Sequence, residues 1–277
     1  MGKFRASYLL TIEGLELLKK DKQVLLFPIF SMVASIALLA IFCISYWLLG
    51  GNFHSINYGI LLLFYLMSAF TVTFFQAGLT VAVDARINGR SMTFKEGMKA
   101  ASAHAEKIFL WSLVSATVGV VLGLISNLSK WLGKLVAFFL SASWGIITFF
   151  IVPALVLEEG NVSGAIKSSA DTFKKTWGET LIMNFSAGLF LFIIGFSGIL
   201  FLALLAFLLA MFLPAAFILP ISLIFLTLII IFFLGICILF SAINSIFRVV
   251  LYEYAKTGRI ADTFTPELIL ASLKKKE

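Results

Sequence analysis

Uncharged residues run along this chain in blocks too long for a water-soluble core. No Asp, Glu, Lys or Arg lies between Lys22 and Asp84, between Lys107 and Lys130, between Lys134 and Glu158, or between Glu179 and Arg248. A soluble fold cannot bury helices that are apolar on every face. A bilayer can, because about 20 apolar residues cross it as a helix that satisfies its own backbone hydrogen bonds. The blocks divide into six predicted spans, at 24–49, 58–83, 108–126, 135–157, 180–213 and 216–247. The expected fold is all-α, a polytopic transmembrane helix bundle. The fifth span has 34 residues, about 51 Å as a straight helix. That exceeds a hydrocarbon core of about 30 Å. It is expected to tilt, to break near Gly195 and Gly198, or to run out of the membrane, with Pro214 and Pro220 marking the turn into the last span.

The polar segments carry a pattern of their own. Shifted by 68 residues, Phe94, Met98, Ala101, Ala105 and Phe109 fall on Val162, Ile166, Ser169, Phe173 and Trp177. Lys99 and Lys107 fall on Lys167 and Lys175. The spacing makes one helical stripe, and Thr93 followed by Glu96 reads as a capping box at its start. Phe4, Tyr8, Ile12 and Leu15 form a looser copy. The chain therefore reads as a single integral membrane domain of three units, at 1–83, 84–157 and 158–250, with a tail at 251–277. Each unit is an amphipathic helix followed by two spans. Such helices either cap and anchor the bundle, or bring Lys99, Lys107, Lys167, Lys174 and Lys175 to lipid headgroups.

Charge sets the orientation. The net charge is +7, and basic chains often bind nucleic acid. Here 19 of the 21 Lys and Arg residues, and all 14 acids, fall on one side of the predicted bundle. Only Lys130 and Lys134 fall on the other. This asymmetry predicts N- and C-termini in the cytoplasm and makes membrane lipids, not nucleic acid, the expected partner. The first apolar run lacks a small-x-small cleavage site and is expected to be a retained span.

Little in the sequence points to catalysis, which needs titratable groups held at short range. The spans hold none in their middles. Asp84 and Glu158 stand at the inner ends of spans two and four, where they are expected to face water. His54 and His104 have no second ligand at metal spacing. Cys43 and Cys237 read as small hydrophobes. No catalytic residue, cofactor or metal is predicted, and the expectation is a non-enzymatic protein.

Three intramembrane amides remain: Gln76, Asn184 and Asn244. They are expected to bond between helices, with a polar vestibule as the alternative. Ser115, Gly119 and Gly123 make a small-xxx-small stripe. It is expected to pack span three against Ser141 and Gly145 of span four, or to form an oligomer contact. Trp47, Trp111, Trp131 and Trp177 are expected near the interfaces, and Trp144 in packing.

Four stretches carry a resemblance. They are the nine residues from Lys20 to Pro28 (KDKQVLLFP), the eleven from Thr148 to Glu158 (TFFIVPALVLE), Lys175-Thr176-Trp177-Gly178-Glu179, and the eight from Leu251 to Gly258 (LYEYAKTG). Over almost its whole length the chain resembles a prokaryotic family of uncharacterised multi-span proteins, domain of unknown function 6159. The resemblance implies a bacterial or archaeal plasma-membrane protein and brings no activity. The helix ending in Lys174-x-x-Trp177 is also similar to the membrane domain found beside some glycerophosphodiester phosphodiesterases, which points towards lipids. The expected function is lipid interaction or envelope homeostasis, with a permease or channel for a small solute as the alternative.

Overall fold

The computed structural model is built of helices joined by short turns. It describes residues 3–48, 58–212 and 214–258, without the side chains of 3–8, 10, 58, 177–187, 215 and 216. The elements are α1 (Lys3–Lys20), a 3-10 turn (Lys22–Leu25), α2 (Leu26–Leu48), α3 (Tyr58–Ile87), α4 (Phe94–Ala103), α5 (Ala105–Asn127), α6 (Leu132–Ile147), α7 (Ile151–Leu157), α8 (Val162–Phe212) and α9 (Ala215–Thr257). No strand occurs among the described residues.

Six segments are long and apolar enough to cross a membrane: Lys22–Leu48, Gly59–Ile87, Ala105–Asn127, Leu132–Leu157, Gly188–Phe212 and Phe217–Thr257. The protein is an all-α polytopic bundle. Its tight core lies at one end, where α1, α4, the start of α8 and the end of α9 gather; we call this the basic end. Phe27, Leu79, Ile108, Phe150, Leu155, Ile243, Phe247 and Tyr252 are fully buried there. Away from it, Phe192, Phe196, Phe207, Leu219 and Phe233 stay exposed. Such surface is stable in hydrocarbon, where lipid tails solvate it.

The amphipathic helices are docked onto the bundle. α4 starts at the expected capping box: the Thr93 side chain accepts from the Glu96 N–H, and the Glu96 carboxylate accepts from the Thr93 N–H at 2.7 Å. Hydrogen bonds from Thr93 hold the exposed Glu96 carboxyl below its ordinary range. Gly97 lies so close to Gly78 of α3 that an added Cβ would stand 3.0 Å from the Gly78 carbonyl oxygen. Ala101 beside it is fully buried, as is Ser169 at the equivalent place 68 residues on. On α1, the Phe4 and Tyr8 side chains of the expected stripe lie outside the described residues. Thr11, Gly14, Leu17 and Leu18 are buried, whereas Ile12 and Leu15 are half-buried. Gly14 lies against the Phe247 ring, with room for an added Cβ in ordinary contact.

The fourth span stands as one apolar segment, Leu132–Leu157, with its helix interrupted at residues 148–150, between α6 and α7. Pro153 cannot donate to the Phe149 carbonyl and its ring crowds that carbonyl, while proline is tolerated in the first turn of α7. The fifth span does not break at Gly195 or Gly198. Both glycines face α9, against Ile236 and the Phe232 ring, and an added Cβ at Gly198 would collide with that ring. The non-helical backbone of α8 lies instead at Thr176 (φ −120°, ψ 17°), whose hydroxyl donates to the Thr172 carbonyl at 2.9 Å. Pro220 lies inside α9, with Pro214 alone capping its start. Finally, the residues assigned to a tail from 251 continue α9 to Thr257, where Gly258 (φ 70°) closes the helix.

Candidate functional site

Two features at and beside the basic end bring polar groups together. In the first, the ends of α5, α7, α8 and α9 meet around Glu158. The Glu158 side chain accepts from the Tyr252 hydroxyl at 2.5 Å and from the Ser168 hydroxyl at 2.9 Å. Lys256 pairs with the same carboxylate at 2.5 Å and donates to Ser168 at 2.9 Å. Lys107 donates to the Glu158 backbone carbonyl at 3.3 Å. Burial pushes the Glu158 carboxyl up, but hydrogen bonds from Lys256, Tyr252 and Ser168, with the Lys256 charge, outweigh it and hold the group below its ordinary value. One residue along α9, the Glu253 carboxyl stands beside Asp84, which accepts from the Asn88 amide at 3.2 Å. The expectation that Asp84 and Glu158 face water is thus corrected: both are half-buried, and Glu158 ties the end of α9 to the bundle. The Glu158 carboxylate thus fastens the end of α9 to the start of α8.

The second feature is a crevice of about 180 Å³ between α2, α3 and α9. Phe27, Met32, Phe75 and Leu79 make apolar walls, and Ser31, Gln76 and Ser241 supply polar groups. Its rim includes Val72 and Cys237, both exposed on spanning helices. The crevice therefore opens onto the apolar flank. Phe27 closes its basic end: the ring packs on Gly78 and Gly97 and meets Phe94 at 4.8 Å. The Gln23 side chain accepts from the Phe94 N–H at 3.0 Å, fixing the start of α2 to α4.

The residues singled out from the sequence fall as follows. Lys99, Lys167, Lys174 and Lys175 are exposed, and Lys174 also sits 3.7 Å from Asp171. Lys107 is half-buried and committed to the Glu158 carbonyl. Gln76 reaches the crevice. Asn244 lies one turn beyond Ser241, with its Oδ1 buried and unpartnered among the described residues. The Asn184 and Trp177 side chains and His54 lie outside the described residues. Burial and the Lys107 charge hold the His104 imidazole below its ordinary pKa. Among the described residues, no three His, Cys, Asp or Glu side chains gather as metal ligands do.

The small-residue stripe does not meet the fourth span. Nothing stands within contact of a Cβ added at Gly119, Gly123 or Gly145. Ser115 and Gly119 instead line a shallow hollow of about 430 Å³ with Tyr65, Ser68 and Thr73. α5 and α6 are joined by Gly133, seated on the Ile125 and Ser126 carbonyls, and by Trp111 and Trp144, stacked 5.7 Å apart. Trp111 is thus a buried packing residue, while Trp47 and Trp131 are exposed.

Sequence reasoning missed Ser168, Tyr252 and Lys256. The signal for the last two was the Tyr-x-Tyr-Ala-x-Thr-Gly stretch, which was placed in a tail instead of on a helix. Searches of curated proteins and of solved structures return no match. A family model matches residues 55–262, which span the second to sixth membrane helices and the Glu158 fastening. The chain belongs to that family, the family of unknown function DUF6159.

Proposed function

We propose that this is a non-enzymatic integral membrane protein of a prokaryotic cytoplasmic membrane, which holds anionic phospholipid at its basic end. That end faces the cytoplasm, with both termini, and the role belongs to lipid handling or envelope homeostasis. One observation carries this reading. α4 and the first part of α8 spend their apolar stripes on the bundle, yet leave Lys99, Lys167, Lys174 and Lys175 exposed. The lysines are thereby presented on rigid supports. Each cation beside an anionic leaflet contributes about 1 kcal/mol.

The test is a titration of delipidated protein with phosphatidylglycerol and with phosphatidylcholine, followed by native mass spectrometry. Replacing the four lysines by glutamine is expected to lower the preference for phosphatidylglycerol several-fold. An unchanged preference contradicts the reading. A second reading, a permease for a small solute, draws support from the break at 148–150, since interrupted helices line the sites of many transporters. Solute uptake into reconstituted vesicles would establish it.

A further inference from the structure

We propose that the crevice between α2, α3 and α9 is a phospholipid site: the first few methylenes of one acyl chain fill it, an ester carbonyl accepts from the Gln76 amide, and the phosphate stands near Lys22 and Lys95. The inference rests on the lipid-holding reading above and adds a specific place and pose.

The medium identifies the occupant. The crevice lies in membrane-crossing helices and its rim residues Val72 and Cys237 are exposed on their flank. What reaches it is what surrounds those helices, a lipid chain. Yet the crevice is not purely apolar. The Gln76 side chain has no hydrogen-bond partner among the described residues, and it shares the crevice with Ser31 and Ser241. An amide left unpaired in hydrocarbon is costly. A fully apolar chain would not relieve that cost, whereas an ester carbonyl accepts from the amide.

The polar groups of the crevice lie near its basic end. Ser31 follows Phe27 by four residues, one helical turn or about 6 Å. Gln76 stands two residues before Gly78, on which the Phe27 ring packs. Above them the surface changes character as a headgroup requires. Phe30, 46% exposed, stacks on Phe94 at 5.0 Å. Lys22, just before α2, and Lys95, just after Phe94, are both exposed. Cations here complement a phosphate.

The experiment uses the full-length protein in detergent, delipidated and then loaded with dioleoyl-phosphatidylglycerol, dioleoyl-phosphatidylcholine or oleate. Bound lipid is read by native mass spectrometry, and thermal midpoints confirm folding. Ser241→Phe, which fills the crevice, is expected to lower the retained phosphatidylglycerol at least tenfold. Gln76→Leu preserves the volume and removes the donor; it is expected to lower retention several-fold, and decides the matter if Ser241→Phe does not fold. Lys22→Gln with Lys95→Gln is expected to lower the preference for phosphatidylglycerol several-fold, beyond the loss in the four-lysine variant when the two are combined, while phosphatidylcholine still binds. Retention unchanged in both crevice variants would overturn the site. Oleate displacing phospholipid at equal concentration would overturn the phospholipid assignment. If retention depends on Lys99, Lys167, Lys174 and Lys175 but not on the crevice, the inference falls and the broader reading stands. If delipidated protein takes up no phospholipid, both fall.

Discussion

The Ser169 hydroxyl bridges the break in the fourth span, accepting from the Phe150 N–H at 3.0 Å and donating to the Ile147 carbonyl at 2.7 Å. The serine is fully buried. It comes from the amphipathic start of α8, so a docked helix repairs the backbone of a spanning one. Ser169→Ala leaves two backbone groups unpaired, at about 1–3 kcal/mol for each. A chemical or thermal unfolding midpoint in detergent is expected to fall accordingly. Ser168→Ala, which touches only the Glu158 carboxylate and its partners, is expected to fall less.

The Glu158 carboxyl is held below its ordinary value of 4.5. A group whose pKa is depressed on folding adds stability above its unfolded pKa and loses it as pH falls through the folded pKa. The fastening of α9 is therefore complete at neutral pH and released in acid. Unfolding midpoints of the wild type are expected to drop on acidification below about pH 4.5. Glu158→Gln lowers the midpoint at pH 7 and shows a smaller acid-dependent drop. Equal acid sensitivity in the two proteins would locate the titration elsewhere.

Glycines on the two long hairpins are not equivalent. Gly198 faces the Phe232 ring with no room for a Cβ, whereas Gly119 and Gly123 face open space. Gly198→Ala is expected to cost about 1–3 kcal/mol through overpacking. Gly119→Ala and Gly123→Ala are expected to be neutral or mildly stabilising, since alanine favours the helix. Destabilisation at Gly119 in the membrane but not in detergent would point to a helix seated in the α3–α5 hollow.

Much of the fold was legible because charge is scarce. Six spans follow from the gaps between charged residues, and the capping box from Thr93 and Glu96. The break at 148–150 was hidden, although Pro153 marks it, because its repair depends on Ser169 from another unit. Gly195 and Gly198 suggested a break because glycine weakens a helix; only the partner rings on α9 show that they are packing positions. The buried positions of α1 include Thr11 and Gly14, which an apolar stripe does not mark. At the candidate site, helical phase was enough to place Lys99, Lys167, Lys174 and Lys175 outward. The Glu158 fastening joins residues up to 98 positions apart, and no local pattern signals such a meeting.

The most direct measurement is the lipid retained by protein purified from its own membranes, counted per chain by mass spectrometry. Wild-type protein is compared with a variant carrying Lys99→Gln, Lys167→Gln, Lys174→Gln and Lys175→Gln. Anionic phospholipid is expected in the wild type and severalfold less in the variant, with the unfolding midpoint little changed because these side chains are exposed. The same anionic lipid content in both proteins would contradict the assignment of the basic end as a lipid-holding surface.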